Sequence, residues 1–293
     1  MNLPSVNIKQ LLEAGVHLGH KTSRWNPKMD RFIFGSKDSI HIIDLVQTLE
    51  MINSALIQIH KCIAAGGKIL FVSTKKQATD TVSALAKETS QFYVNHRWLG
   101  GMLTNWNTIS NSIKRYKKLT EDLKSEATGF TKKENLKMGI QRDKLERSLG
   151  GISEMKKIPD MIFIIDTNIE ELAVKEALKL KIPIIAIVDT NSDPTGISFP
   201  IPGNDDARRA INLYCDLIKQ TIIDAKSNLK EQTQINSDDE NNKINENITP
   251  KETDKTQVKA DLKQKSKDDI DKKEPKKKSM SILEKIKKIA SKK

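Results

Sequence analysis

The sequence predicts an α/β fold: a doubly wound parallel sheet carrying an inserted antiparallel helical hairpin, with a disordered C-terminal tail. Three observations lead there. KILFVS (68–73), QFYV (91–94), MIFIID (161–166) and IPIIAIVD (182–189) are short apolar runs, and continuous runs suit parallel strands covered on both faces. Helix-like stretches separate them, the alternation expected of a βαβ chain. Residues 107–152 break that alternation with two successive stripes of helical period.

The elements follow in order. Residues 7–14 read as a short helix, and FIF with IHIID in 32–43 as a hairpin. Leu45, Leu49, Ile52, Leu56, Ile59 and Ile63 share one face, which places a helix over 45–65. Helices over 75–89, 170–180 and 205–226 follow the strands. In the insert, Ile109, Ile113, Tyr116, Leu119 and Leu123 form one stripe. Leu136, Ile140, Leu145, Leu149 and Ile152 form the other, with Gly129 between them. Thr131-Lys132-Lys133-Glu134 fits a capping box that starts the second helix. The outer faces carry Lys114, Arg115, Lys117 and Lys118. Such an arm has too narrow a core for a catalytic pocket and is suited to reaching a partner.

Composition divides the chain near residue 228. From Asn228 onward there are 18 Lys, no Arg and 13 Asp or Glu, with no Gly, Trp, Phe or Tyr. That segment buries too little surface to offset its ordering entropy, so 1–227 reads as the folded domain and 228–293 as a disordered tail. Its end, SILEKIKKIASKK, gathers Ile282, Ile286 and Ile289 on one face, an amphipathic helix over 281–291 or a frayed basic tail.

With 293 residues and a net charge of +12, the chain has room for a sizeable core and favours a polyanionic partner. Cys62 and Cys215, in apolar helical patterns, read as reduced thiols of a cytosolic protein. The start, MNLPSVNIKQLLEAG, lacks the basic and apolar regions of a signal peptide, and no apolar run approaches a membrane span.

Two loops carry the chemistry. NHRWLGGMLTN (95–105) joins Arg97 and Trp98 to Gly100, Gly101 and the amides Asn95 and Asn105. Glycines admit a close backbone approach, and arginine or indole stacks on planar, phosphate-bearing partners. HKTSRWNPKMDRFI (20–33) repeats the mixture with Lys21, Arg24, Trp25 and Lys28. STKKQA (73–78) puts Lys75 and Lys76 at a strand-to-helix turn able to hold a phosphate.

Other readings stay open on these residues. Asp166 and Asp189 sit at strand ends, with Asp193 near, where a Mg²⁺-dependent phosphoryl-transfer enzyme would place carboxylates. The same aspartates also suit strand-end turns. DTNSDP (189–194) lacks the glycine and closing Glu of a calcium loop. Gly66-Gly67-Lys68 precedes a strand and so is no Walker loop. His17 and His20 have metal-compatible spacing but no matching second pair.

Six segments in order, LLEAGVHLGHKTSRWNPKM (11–29), FVSTKKQA (71–78), VNHRWLGGMLTNWNTI (94–109), PDMIFIID (159–166), IPIIAIVDTNSDP (182–194) and PIPGNDDARRAI (200–211), resemble successive motifs of the bacterial small-subunit ribosomal protein S-two family. The resemblance covers roughly residues 1–226. Leu18 replaces an expected phenylalanine and Ser73 an expected glycine. The resemblance implies a flavodoxin-like domain with a coiled-coil arm, seated on small-subunit rRNA in the cytoplasm. It implies late assembly, neighbouring ribosomal proteins including S-one as partners, and no catalysis, cofactor, small-molecule substrate or membrane. The expected rRNA contacts are Lys21, Arg24, Trp25, Lys28, Lys75, Lys76, Arg97, Trp98, Gly100, Gly101 and Asn105, with Arg208 and Arg209 secondary.

Overall fold

The structure, a computed structural model, describes residues 3–124 and 130–246; from residue 230 onward it describes the helical backbone alone. Five parallel strands lie in the order β5 (Phe92–Val94), β4 (Ile69–Val72), β6 (Met161–Ile165), β7 (Ile184–Val188), β8 (Phe199–Pro202). β4, β6 and β7 are buried along their whole length, which is why they read as uninterrupted apolar runs.

Strand periodicity splits the core in two. Ile69, Phe71, Phe163, Ile165, Ile185 and Ile187 face α2 (Leu45–Ala64), α3 (Thr79–Glu88) and α7 (Arg208–Glu246). Leu70, Val72, Ile162, Ile164, Ala186 and Val188 face the opposite layer, which contains α6 (Glu171–Lys179), residues 98–103 and the base of the arm. Helices on both faces make the sheet doubly wound, consistent with a flavodoxin-like fold.

A small antiparallel sheet precedes this domain. β2 (Ile33–Lys37) and β3 (Ile40–Ile43) form the expected hairpin. Asp38 and Ser39 both have positive φ, as the tight mirror-image turn demands. β1 (Leu18–Lys21), absent from the sequence reading, pairs with β3. α1 (Ile8–Ala14) packs against α2.

The arm is α4 (Trp106–Lys124) and α5 (Lys132–Leu149). The Arg115 guanidinium donates to Gln141 Oε1 at 3.3 Å, while Ile109, Ile113, Leu149 and Ile152 share one cluster at the base. That pairing runs antiparallel. The Thr131/Glu134 capping box is present. The second expected stripe, however, divides. Leu145, Leu149 and Ile152 pack inward, but Leu136 and Ile140 are 67% and 62% exposed. The half-buried positions of α5 are Met138, Gly139, Arg142, Leu145 and Ser148, with the side chains of Met138, Arg142 and Leu145 on one face. Two residues of offset turns Leu136 and Ile140 about 200° away from that face. Gly129 lies outside the described residues.

Two boundaries also differ from expectation. α3 starts at Thr79 rather than near residue 75, leaving Lys75 and Lys76 in the preceding loop. α7 continues to Glu246, past the expected end at 226. Helix propagation adds a hydrogen bond per residue, so a polar extension can follow a packed helix without a core of its own. The terminal segment 281–291 lies outside the described residues. Among the described residues no helix is long and apolar enough to cross a membrane.

Candidate nucleic-acid interface

The NHRWLGGMLTN loop follows β5 and wraps around one carboxylate. Glu176 of α6 accepts from the Trp98 indole N–H at 3.1 Å and from the Gly101 N–H at 2.7 Å through Oε1. Its Oε2 accepts from the Leu103 and Thr104 N–H groups at 2.9 and 3.0 Å, and from the Thr104 hydroxyl at 3.1 Å. Burial alone would raise its pKa. The N–H groups of Thr104, Leu103 and Gly101, with the indole, outweigh burial and hold it below the ordinary value. Gly101, at φ +80°, takes a backbone conformation that favours glycine.

This geometry sorts the expected contacts in the loop. Trp98 is 7% exposed and bonded to Glu176, so its indole is packed into the loop's interior. Arg97, Gly100 and Asn105 are exposed. The Asn105 side-chain oxygen accepts from the Thr108 hydroxyl at 3.0 Å, near the start of α4. Arg97 makes no ion pair among the described residues. Gly151 closes the loop's other flank: a Cβ there would lie 2.1 Å from the Tyr93 carbonyl oxygen, so the base of the arm can reach β5 only with glycine at that position.

The 20–33 loop sits at the carboxyl end of β7. The His20 N–H donates to Thr190 Oγ1 at 2.9 Å, and the Asn26 N–H donates to the Thr190 carbonyl at 2.7 Å. Lys28 pairs with Asp193 at 2.6 Å and holds that carboxyl down at about 2. Lys21 and Arg24 are exposed. Trp25 is 37% exposed, its ring centroid 5.3 Å from that of His41.

Beside this loop lies a buried charge cluster. Lys75 Nζ is 2.6 Å from Asp205, 2.6 Å from Asp206 and 3.2 Å from Asp166. Burial works against its proton, but these carboxylates outweigh it and raise the lysine above its ordinary value. Lys75 is therefore a buried ion-pair partner, where the sequence led to the expectation of an rRNA phosphate contact. Lys76 is exposed. Asp166, at φ +67°, caps a turn by accepting from the Asn168 and Ile169 N–H groups at 3.0 and 3.2 Å. Asp189 accepts from the Thr190 N–H and hydroxyl, and pairs with His20 Nδ1 at 2.9 Å. That hydrogen bond, against burial, raises the imidazole pKa. Burial, with Asp166 and Asp189 near, pushes Asp205 up to about 7. One ligand atom each from His20, Asp189 and Asp205 lies within 4.8 Å of the others, a set of donors that could hold a divalent cation.

Glu176 escaped the sequence reading because a glutamate in ELAVKEALK resembles a solvated helix face. The available signal was its spacing, three residues after Ala173 and beside Ala177, both fully buried.

Comparison with known proteins agrees with the motif order. The family profile described as Ribosomal protein S2 matches residues 11–225. Small ribosomal subunit protein uS2 of Parvibaculum lavamentivorans is 58% identical over 227 residues, spanning 78% of this chain and 90% of that protein. The proteins of the same name from Caulobacter vibrioides and Brucella suis are 58% and 57% identical over 224 residues. Each match spans 76% of this chain, and 84% and 88% of those proteins. The chain belongs to the ribosomal protein S2 family, whose members are structural proteins and not enzymes.

Proposed function

We propose that this chain is a structural constituent of the small ribosomal subunit in the cytoplasm and binds small-subunit rRNA. The observation that carries the reading is the pair of tethered loops, 20–33 and 95–105, each held by part-buried hydrogen bonds from its own chain while its cations face outward. Lys21, Arg24, Lys76 and Arg97 are exposed and supply phosphate contacts; Trp25 offers a face to a base, and Gly100 and Asn105 leave room for one. Lys28, Lys75 and Trp98 act one step back, fixing these loops. The α4/α5 hairpin serves as a projecting arm of coiled-coil type. Neighbouring ribosomal proteins, including S-one, complete the partner set, and the chain supports late assembly and docking of S-one for translation.

Sedimentation tests this directly. In a sucrose gradient with ample Mg²⁺, the chain should comigrate with small subunits and assembled ribosomes. A peak confined to the top of the gradient would reject the reading. Purified chain should bind small-subunit rRNA with an affinity that falls steeply with salt.

A further inference from the structure

A cleft of about 660 Å³ opens where the arm meets the sheet. His96, Arg97 and Leu99 form the wall on the sheet side; Ile140, Lys144 and Arg147 of α5 face them from the arm. Arg97, Lys144 and Arg147 are exposed, and none forms an ion pair among the described residues. The acid in this cleft, Asp143, is held by its neighbour Arg142, whose Nε donates at 2.9 Å. The cleft therefore keeps a positive excess, unlike the sites around Lys28 and Lys75. Beside the cations lies apolar surface from Leu99 and from Ile140, the residue that the helix offset turns outward. Guanidinium forks match phosphate oxygens two at a time, and a flat apolar patch beside them suits a ribose or base face.

We infer that this cleft seats a segment of RNA backbone, with phosphates on Arg97, Lys144 and Arg147 and the sugar or base edge on Leu99 and Ile140. The inference rests on the rRNA-binding reading above and specifies where a strand lies. It also gives the joint a task. One wall comes from the loop after β5 and the other from α5, so a bound strand ties the arm to the sheet. Lys144, Arg147 and Ile140 had no place among the contacts expected from sequence.

The test uses the full chain and in vitro transcribed small-subunit rRNA, with filter binding across a potassium chloride series. A triple variant, Arg97→Ala with Lys144→Ala and Arg147→Ala, is compared with an arm-tip control, Lys132→Ala with Lys133→Ala and Lys137→Ala. Losing three phosphate contacts should cut the log–log salt slope by about 2 to 3, and affinity by roughly 100-fold or more at 0.1 M salt. The control should keep most of both, and thermal melting of both variants should match the parent, since all six side chains are exposed. Ile140→Ser should weaken binding while leaving the salt slope unchanged. Equal losses in the two triple variants would show diffuse attraction and overturn the cleft. So would parent-like binding by the cleft variant, which would leave the rRNA reading standing and release the cleft for another partner such as an acidic peptide. Failure of the parent chain to bind rRNA would sink that reading and the cleft together.

Discussion

Lys28 and Lys75, at the carboxyl ends of β7 and β4, differ from the basic residues at the joint of arm and sheet in one respect: both have acidic partners. Lys75 is shared by three aspartates and Lys28 is held by Asp193, whereas Arg97, Lys144 and Arg147 form no ion pair among the described residues. Two of the partners of Lys75, Asp166 and Asp205, lie 91 and 130 residues away along the chain. A motif containing lysine therefore cannot announce whether its charge faces solvent or an acid of its own fold. Burial makes the distinction, since a lysine withdrawn from water must be paired.

The sharpest way to break this comparison is to remove the adjacent lysines one at a time. Lys75→Met leaves Asp166, Asp205 and Asp206 without their shared cation and should cost roughly 3–5 kcal/mol of stability. Lys76→Met touches an exposed side chain and should stay within about 0.5 kcal/mol. Urea denaturation of both variants decides. Equal midpoints would mean that Lys75 is no more embedded than its neighbour.

Glu176 provides the corresponding test at the joint. Glu176→Gln offers one acceptor oxygen where two carboxylate oxygens served five donors, and it brings its own N–H groups against them. A loss of roughly 2–3 kcal/mol is expected from the unsatisfied donors. Hydrogen exchange should accelerate at Gly101, Leu103 and Thr104 while the amides of β6 keep their protection. Uniform acceleration would show that Glu176 supports the whole domain and not this loop. Because its folded pKa is lowered, the Glu176 contribution is present above the ordinary glutamate range and is lost as pH falls through the folded value.

The strand-end cluster has the opposite pH dependence. Asp205 and His20 are both raised, so the native chain binds their protons more tightly than the unfolded chain. Their stabilisation is full below the unfolded values and is lost as pH rises, between 3.8 and about 7 for Asp205 and from 6.5 upward for His20. With a chelator present, the melting temperature should fall by several degrees between pH 5 and pH 8. Asp205→Asn should flatten that fall. An unchanged slope in the variant would remove Asp205 as its source.

How much of this was legible depended on the distance over which each signal acts. The buried strands β4, β6 and β7 declared themselves because an apolar run is local. β8 did not, since Pro200 and Pro202 argue against a strand; it lies at the sheet edge, where one side needs no ladder donors. β1 is four residues long and contains Gly19, and it becomes a strand only by pairing with β3. The motif NHRWLGGMLTN was visible at once, but the Glu176 that shapes it lies about 75 positions further on. Site residues were recognisable by type; their pairing, exposure and direction came from the fold.

The two tryptophans give the smallest and most specific contrast. Both sit in Arg/Trp loops, and composition cannot separate them. Trp98→Phe removes one of five donors to Glu176 and leaves the ring's packing largely in place, so it should cost about 1 kcal/mol. Trp25→Phe changes a partly exposed ring that makes no hydrogen bond among the described residues and should stay within about 0.5 kcal/mol. Binding should reverse the ranking. A base stacked on Trp25 contributes roughly 1–3 kcal/mol, so Trp25→Ala should weaken rRNA affinity by about tenfold without altering the salt slope. Stacking also quenches indole emission. A variant keeping Trp25 as its one tryptophan, with Trp98 and Trp106 replaced by Phe, should dim when rRNA is added, whereas one keeping Trp98 alone should not. Quenching of Trp98 and silence at Trp25 would exchange the roles of the two loops.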